Sequence, residues 1–155
     1  MTNLYNKAYS LKFLQDMVVK YRYGGDLSIV IINIDRFKHI NNIYGFEFGD
    51  EVIIKIAGLM NTLIRGTDVL GRFGGEEFIL ILPDTDMEGA LILAEKLRET
   101  VENADFGRRD LQITISGGIA EIDCDDPDKL INSANDLMLK AKRNGRNRME
   151  YDSLV

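Results

Sequence analysis

Covalent cross-linking has no place in this chain: Cys124 is the only cysteine among its 155 residues, so no internal disulfide can form. Tryptophan is absent, histidine occurs once (His39), and Pro83 and Pro127 are the only prolines, which excludes a proline-rich linker. No repeat with a period of ~20–50 residues is present. Positive charge is in deficit, with 19 Lys and Arg against 25 Asp and Glu and a formal net charge of −6. An acidic chain without a basic tract suits neither duplex nucleic acid nor an anionic lipid surface, so neither partner is expected. No apolar run approaches the ~20 residues that cross a bilayer, and the first residues lack the pattern of a secretory signal. Together with the lone cysteine, this predicts a reducing, cytoplasmic setting.

The remaining composition is ordinary for a globular protein, with 45% hydrophobic and 28% charged residues. The length predicts one domain over residues 1–155. Leu14, Met17, Val18 and Tyr21 recur at helical spacing and stop at Gly24-Gly25. Leu27–Ile34 is short, β-branched and nearly unbroken, as expected of a strand covered on both faces. Val52, Ile53, Ile56, Met60 and Leu63 mark a helix for which Asp50 is the expected N-cap. Two apolar runs, 69–73 and 76–82, flank Gly74-Gly75 and predict a hairpin whose turn needs positive φ. Thr85 and Glu88 fit a capping box ahead of a helix carrying Ala90, Ala94, Leu97 and Val101. Leu111, Ile113 and Ile115 alternate as a strand, and Gly117-Gly118 predicts a bulge or a close backbone approach. A last helix runs through Leu130, Ala134, Leu137 and Ala141 to a C-terminal cap at Gly145, and a short strand, 148–151, follows. The predicted fold is α+β: a ferredoxin-like βαββαβ core with a largely antiparallel central sheet, plus an extra C-terminal helix and strand.

Two segments carry the candidate chemistry. In Arg72-Phe73-Gly74-Gly75-Glu76-Glu77-Phe78, glycines place adjacent carboxylates at a hairpin tip that a base or polyphosphate can approach closely. Paired carboxylates on a rigid tip suit a hard divalent cation, although a bare Gly-Gly-Glu-Glu is more often a solvated hairpin tip. In Asn33-Ile34-Asp35-Arg36-Phe37-Lys38-His39-Ile40-Asn41-Asn42, Asn33 and Asp35 lie two apart at a strand end and point to one side of the sheet. Taken alone, Asp35 reads as a turn residue and Asp50 as a helix cap.

Together these segments resemble the GGDEF family of diguanylate cyclases in its Gly-Gly-Glu-Glu-Phe form, over essentially the whole chain. The family's opening pattern is echoed by Thr2-Asn3-Leu4-Tyr5-Asn6-Lys7, its Asp-x-Asp-x-Phe-Lys stretch from Asn33, and its Gly-His-x-x-Gly-Asp by Gly45–Asp50. Its closing Ala-Lys-x-x-Gly-Arg-Asn is matched by Ala141–Asn147. The resemblance implies a nucleotidyl-cyclase, palm-like fold and an enzyme that joins two GTP into cyclic di-GMP and releases two pyrophosphates. Such an enzyme acts as a homodimer with Mg²⁺ or Mn²⁺, under an upstream sensor or receiver domain. It implies a metal position at Asn33, the Ile34 carbonyl and Glu76, with Glu76 as possible general base, Glu77 in support and Lys38 steadying phosphate charge. Asn41 and Asp50 would read guanine, and Arg72, Gly74, Gly75, Lys142 and Arg146 would contact substrate. Arg65 and Asp68 match the family's inhibitory Arg-x-x-Asp site for product.

The chain departs from the family pattern at Asn33, which stands where the family has a metal-binding Asp. Asn42, Phe46, Asn135 and Leu139 are further departures. A neutral amide oxygen in place of an anion predicts weaker metal binding and slower turnover, with Asp35 as the neighbouring carboxylate placed to compensate. The alternative is a degenerate module that binds GTP or cyclic di-GMP without catalysis. An RNA-binding ferredoxin-like domain fits poorly, because the charge is acidic and no strand shows the stacking aromatics.

Overall fold

The computed structural model describes residues 4–123 and 125–152, so Thr2, Asn3 and Cys124 lie outside the described residues. In chain order the elements are α1 (Lys7–Tyr21), β1 (Leu27–Ile34), α2 (Phe37–Tyr44), α3 (Phe46–Asn61) and β2 (Val69–Arg72). They continue with β3 (Glu77–Pro83), α4 (Met87–Glu102), β4 (Ile115–Glu121), α5 (Pro127–Arg143) and β5 (Met149–Tyr151). The sheet runs β2-β3-β1-β4-β5, antiparallel throughout except that β5 lies parallel to β4. This is the expected ferredoxin-like core with one added edge strand.

Helices cover both faces, which is why β1 and β3 read as almost continuous apolar runs. Side chains of a strand alternate between faces, so each strand supplies two cores. Val30, Ile32, Phe78 and Leu80 pack with α2, α3 and α4 residues such as Ile40, Ile56 and Leu97. Ile29, Ile31, Ile79 and Ile81 pack on the other face with Leu14 and Val18 of α1 and Ala134 and Met138 of α5.

Several local expectations are corrected. The segment after β1 forms a helix, α2, whose eight residues bury only Phe37 and Ile40, too few anchors for a periodic signal. Gly45, at φ 91°, then turns the chain into α3 and stands as its N-cap, so Asp50 lies inside the helix and caps nothing. Asp86 rather than Thr85 caps α4, accepting from the Gly89 N–H at 2.9 Å. Gly74 and Gly75 are not in the left-handed region, so that turn does not depend on positive φ. β4 begins only at Ile115, because Leu111 and Ile113 pack against the core without joining the sheet.

β4 then passes through Gly117-Gly118 in unbroken register with β1, so there is no bulge. The glycines serve a close approach instead. A Cβ on Gly118 would overlap the Ala134 carbonyl and lie 2.5 Å from the Met138 nitrogen, and one on Gly117 would lie 2.6 Å from the Met149 sulfur. Helix α5 thus rests on bare strand backbone. Gly118→Ala must push α5 off the sheet and is expected to cost about 3 kcal/mol in chemical denaturation, whereas Gly66→Ala, which meets nothing within 4 Å, serves as the neutral control.

Candidate functional site

The candidate site forms where the C-terminal end of β1 meets the N-terminal end of β3. Asn33 and Glu77 are directly paired across the two strands, and the Ile34 N–H donates to the Glu76 carbonyl at 3.0 Å. The acidic tip is therefore hydrogen-bonded onto the strand end that bears the amide. Phe73 N and Gly74 N both donate to the Glu77 carbonyl, at 2.7 and 3.1 Å, and close the loop. Arg72 turns back to donate to the Gly74 and Gly75 carbonyls, at 3.3 and 2.8 Å, so it braces the tip.

Burial pushes the Glu77 carboxyl above its usual range. A hydrogen bond from the Asn33 amide pulls it back, the neighbouring Glu76 charge raises it again, and the Lys7 and Lys142 charges lower it. Lys7 was not singled out from the sequence; its ammonium stands 4.9 Å above the Phe73 ring. The Lys142 ammonium lies 2.7 Å from Asp35 Oδ1 and 3.4 Å from the Ile34 carbonyl oxygen.

Asp35 corrects an expectation. It is only 4% exposed and accepts from four donors: Thr114 Oγ1 at 2.8 Å, Ser116 Oγ at 2.7 Å, Lys142 Nζ at 2.7 Å and the Asn147 N–H at 3.0 Å. A carboxylate has about four lone-pair sites, so Asp35 has none to spare for a cation and does not compensate for Asn33. Burial would raise its pKa, but the bonds from Lys142, Ser116 and Thr114 outweigh that and hold it below the usual value.

The other expected residues occupy the flanks. Lys38 is exposed on the second residue of α2, a helix whose N-terminus carries no side-chain cap. Asn41 and Asp50 sit on the two arms of the α2–α3 corner. The Asn41 Oδ1 is buried without a partner and presses on Gly49, next to the exposed Asp50. Arg146 follows α5, and its Nε is buried with no hydrogen-bond partner. Arg65 and Asp68 are not part of this assembly: they lie beside Pro83, at the far end of β3, a seven-residue strand spanning roughly 20 Å. There Arg65 donates to Asp68 Oδ1 at 3.0 Å, the Pro83 carbonyl at 2.6 Å and Thr85 Oγ1 at 2.7 Å, beside a cavity of about 420 Å³ that Asp26, Asp84 and Leu93 also line.

The donor set fits a hard divalent cation: two carboxylates at Glu76 and Glu77, the Ile34 carbonyl and the Asn33 amide are all oxygen donors, and the mutual repulsion of the acids favours a cation between them. Among the described residues, no cluster of three or more His, Cys, Asp or Glu forms a metal site without these neutral oxygens. No helix among the described residues is long and apolar enough to cross a membrane.

Comparison with known proteins bears on the family and the fold. The family "Diguanylate cyclase, GGDEF domain" matches residues 1–148. The response regulator PleD of Caulobacter vibrioides is 38% identical over 154 residues, which cover 95% of this chain and 34% of PleD. The chain thus spans about a third of that relative's length. The active GGEEF domain of a diguanylate cyclase from Vibrio cholerae superposes with a TM-score of 0.92 at 32% identity, covering 98% of this chain and 99% of that one. The GGDEF domain of DgcB from Caulobacter crescentus, solved in complex with c-di-GMP, gives a TM-score of 0.91 at 27% identity, with coverage of 97% and 89%.

Two stability effects follow from the carboxylates. Because the folded Glu77 value is raised, the stabilisation belongs to the protonated form: it is present below the ordinary value of 4.5 and lost as pH rises through the folded value. Glu77→Gln is therefore expected to raise the melting temperature at pH 7 by about 1–2 °C without added metal, a gain that disappears below the ordinary value. Asp35 has the opposite sign. Its contribution is complete above the ordinary value of 3.8 and lost as pH falls below it, so acid titration of Asp35→Asn should show a shallower loss of stability than the unsubstituted chain.

Proposed function

The chain belongs to the GGDEF family of diguanylate cyclases, and on that premise we propose that it condenses two GTP molecules into cyclic di-GMP, at a rate lowered by Asn33. Two copies bring two bound nucleotides together, each 3′-hydroxyl attacks the α-phosphate of the other, and two pyrophosphates leave. The observation that carries this reading is the pairing of Glu77 with Asn33 and of the Glu76 carbonyl with the Ile34 N–H, which holds both acids on the strand end. Residues 1–155 form the one catalytic domain, with a sensor or receiver elsewhere in a longer, cytoplasmic protein.

Each group has a role that its surroundings favour. Asn41 Oδ1 and the Asp50 carboxylate accept from the N–H donors along the guanine edge; adenine presents a different edge there. Asn41 brings an acceptor that has lost water and found no protein partner, so guanine satisfies an unmet bond. Lys142 and Arg146 hold phosphate oxygens, and the exposed Lys38 offsets their charge from the α2 side. Gly74 and Gly75 keep the tip free of side chains where the nucleotide lies. Glu76 takes the proton of the 3′-hydroxyl.

Glu76, the Ile34 carbonyl and Asn33 would hold Mg²⁺ or Mn²⁺, with Glu77 beside them. When bound, the ion neutralises charge on the triphosphate and on the departing pyrophosphate. Asn33 alters this site in a particular way. An aspartate there would repel Glu77, whereas the neutral Asn33 amide lowers the Glu77 pKa. The site thus carries one negative charge fewer for a cation to neutralise. The same observation favours the second reading, a module that binds GTP, or cyclic di-GMP at Arg65 and Asp68, without turnover.

Incubation with GTP and Mg²⁺ or Mn²⁺, followed by nucleotide chromatography, separates the two. Cyclic di-GMP is expected from the unsubstituted chain, to fall at least about 100-fold in Glu76→Ala and to rise about 10-fold in Asn33→Asp through tighter metal binding. Nucleotide binding with no product in either the unsubstituted or the Asn33→Asp chain would leave the binding module. For the far end of β3, Arg65→Ala is expected to abolish inhibition by added cyclic di-GMP while the initial rate stays within about twofold, because Arg65 lies at Pro83, a strand length away from the acids.

A further inference from the structure

The two cations expected on the triphosphate both trace back to one buried acid. Lys142 contacts it directly, at 2.7 Å. Arg146 reaches it through the backbone that follows α5. There Gly145 adopts φ 122° and the Arg146 N–H closes the helix end on the Ala141 carbonyl at 2.9 Å. Arg146 and Asn147 then lie consecutively in the left-handed region, at φ 65° and 49°, a conformation that two non-glycine residues in succession rarely adopt.

Asn147 anchors this corner on three sides. Its N–H donates to Asp35 Oδ2 at 3.0 Å, its Oδ1 accepts from Arg98 Nη1 at 3.0 Å, and its Nδ2 donates to Glu102. The corner leaves the Arg146 Nε buried and without a protein partner. A buried, unpaired donor on a cation calls for an anion from outside the chain. Asp35 itself cannot touch a ligand, because its lone pairs are already taken.

We propose that Asp35 is a positioning residue for the polyphosphate subsite: through the Lys142 ammonium and the Asn147 N–H it fixes where Lys142 and Arg146 present their charge. The proposal rests on the nucleotide reading above and adds to it a residue that the ligand never meets.

The test is a double-mutant cycle on the whole chain, read by calorimetric titration with guanosine 5′-[β,γ-imido]triphosphate and Mg²⁺. Asp35→Asn is expected to weaken binding about 10-fold in the unsubstituted chain but only about threefold in an Arg146→Ala background, where Lys142 is the one cation left for Asp35 to position. Equal losses in both backgrounds, or no loss in the first, overturn the proposal, since a general loosening of the fold would act whether or not Arg146 is present. Where Asp35→Asn does not fold by thermal melting, Ser116→Ala decides. It removes one of the four donors that fix the Asp35 carboxylate, and the buried Ser116 meets no ligand. It is expected to weaken binding about threefold when Arg146 is present and less in Arg146→Ala, and unchanged affinity in the otherwise unsubstituted chain overturns the proposal. Failure of the unsubstituted chain to bind the analogue overturns the nucleotide reading itself, before any variant is compared.

Discussion

A single ionised carboxylate with four donors holds the functional end of this protein together. Asp35 leaves β1 and at once receives hydroxyls from Thr114 and Ser116, the ammonium of Lys142 and the main-chain N–H of Asn147. Those groups come from the edge of β4, the end of α5 and the turn beyond it, segments that β1–β4 pairing and the packing of α5 on β4 bring to one end of the sheet. Burying a charge is costly unless every lone pair is used. Here the cost is offset only when all four segments are in place, so the network has few partial forms. Such a network specifies geometry more than it adds stability.

The acids at the hairpin tip follow the opposite logic. Glu76 and Glu77 are adjacent, and Glu77 is half-buried with its charged form disfavoured. They are a local liability in the resting fold, which is the mark of a site kept for something other than stability. Asn33 moderates that liability, since its neutral amide lowers the Glu77 pKa where a charged neighbour would raise it. The orphaned Asn41 Oδ1 and Arg146 Nε belong to the same pattern: polar atoms withdrawn from water and left without a hydrogen-bond partner in the chain. The Arg65–Asp68 pair is different in kind, since Arg65 already has its acceptors within the protein.

Packing allows this arrangement to sit on a rigid base. Alternate residues of β1 and β3 feed two separate cores, so neither strand can slip by one residue without exchanging its faces. The bare backbone at Gly117 and Gly118 lets α5 lie close enough for its last turn to deliver Lys142 to Asp35. A larger residue in β4 would displace the cations although it touches none of them.

Period and punctuation in the sequence determined the βαββαβ order, the two-sided burial of β1, the hairpin with its acidic tip and the glycine that ends α5, because these depend on residues near one another in the chain. The motif segments likewise named Asn33, Glu76, Glu77 and Lys142, which the structure brings to the ends of β1, β3 and α5. Helix α2 escaped because Phe37 and Ile40 are too few to show a period, and Asp50 looked like a cap because Gly45 conceals where α3 starts. What Asp35 does was decided by the tertiary structure alone. Its partners Thr114, Ser116, Lys142 and Asn147 lie 79, 81, 107 and 112 residues away, and only the folded sheet brings them within hydrogen-bonding distance. The same holds for the bracing turn of Arg72, the reach of Lys7 toward Glu77 and the unpaired atoms of Asn41 and Arg146, because satisfaction of a polar group is a property of its neighbours in space.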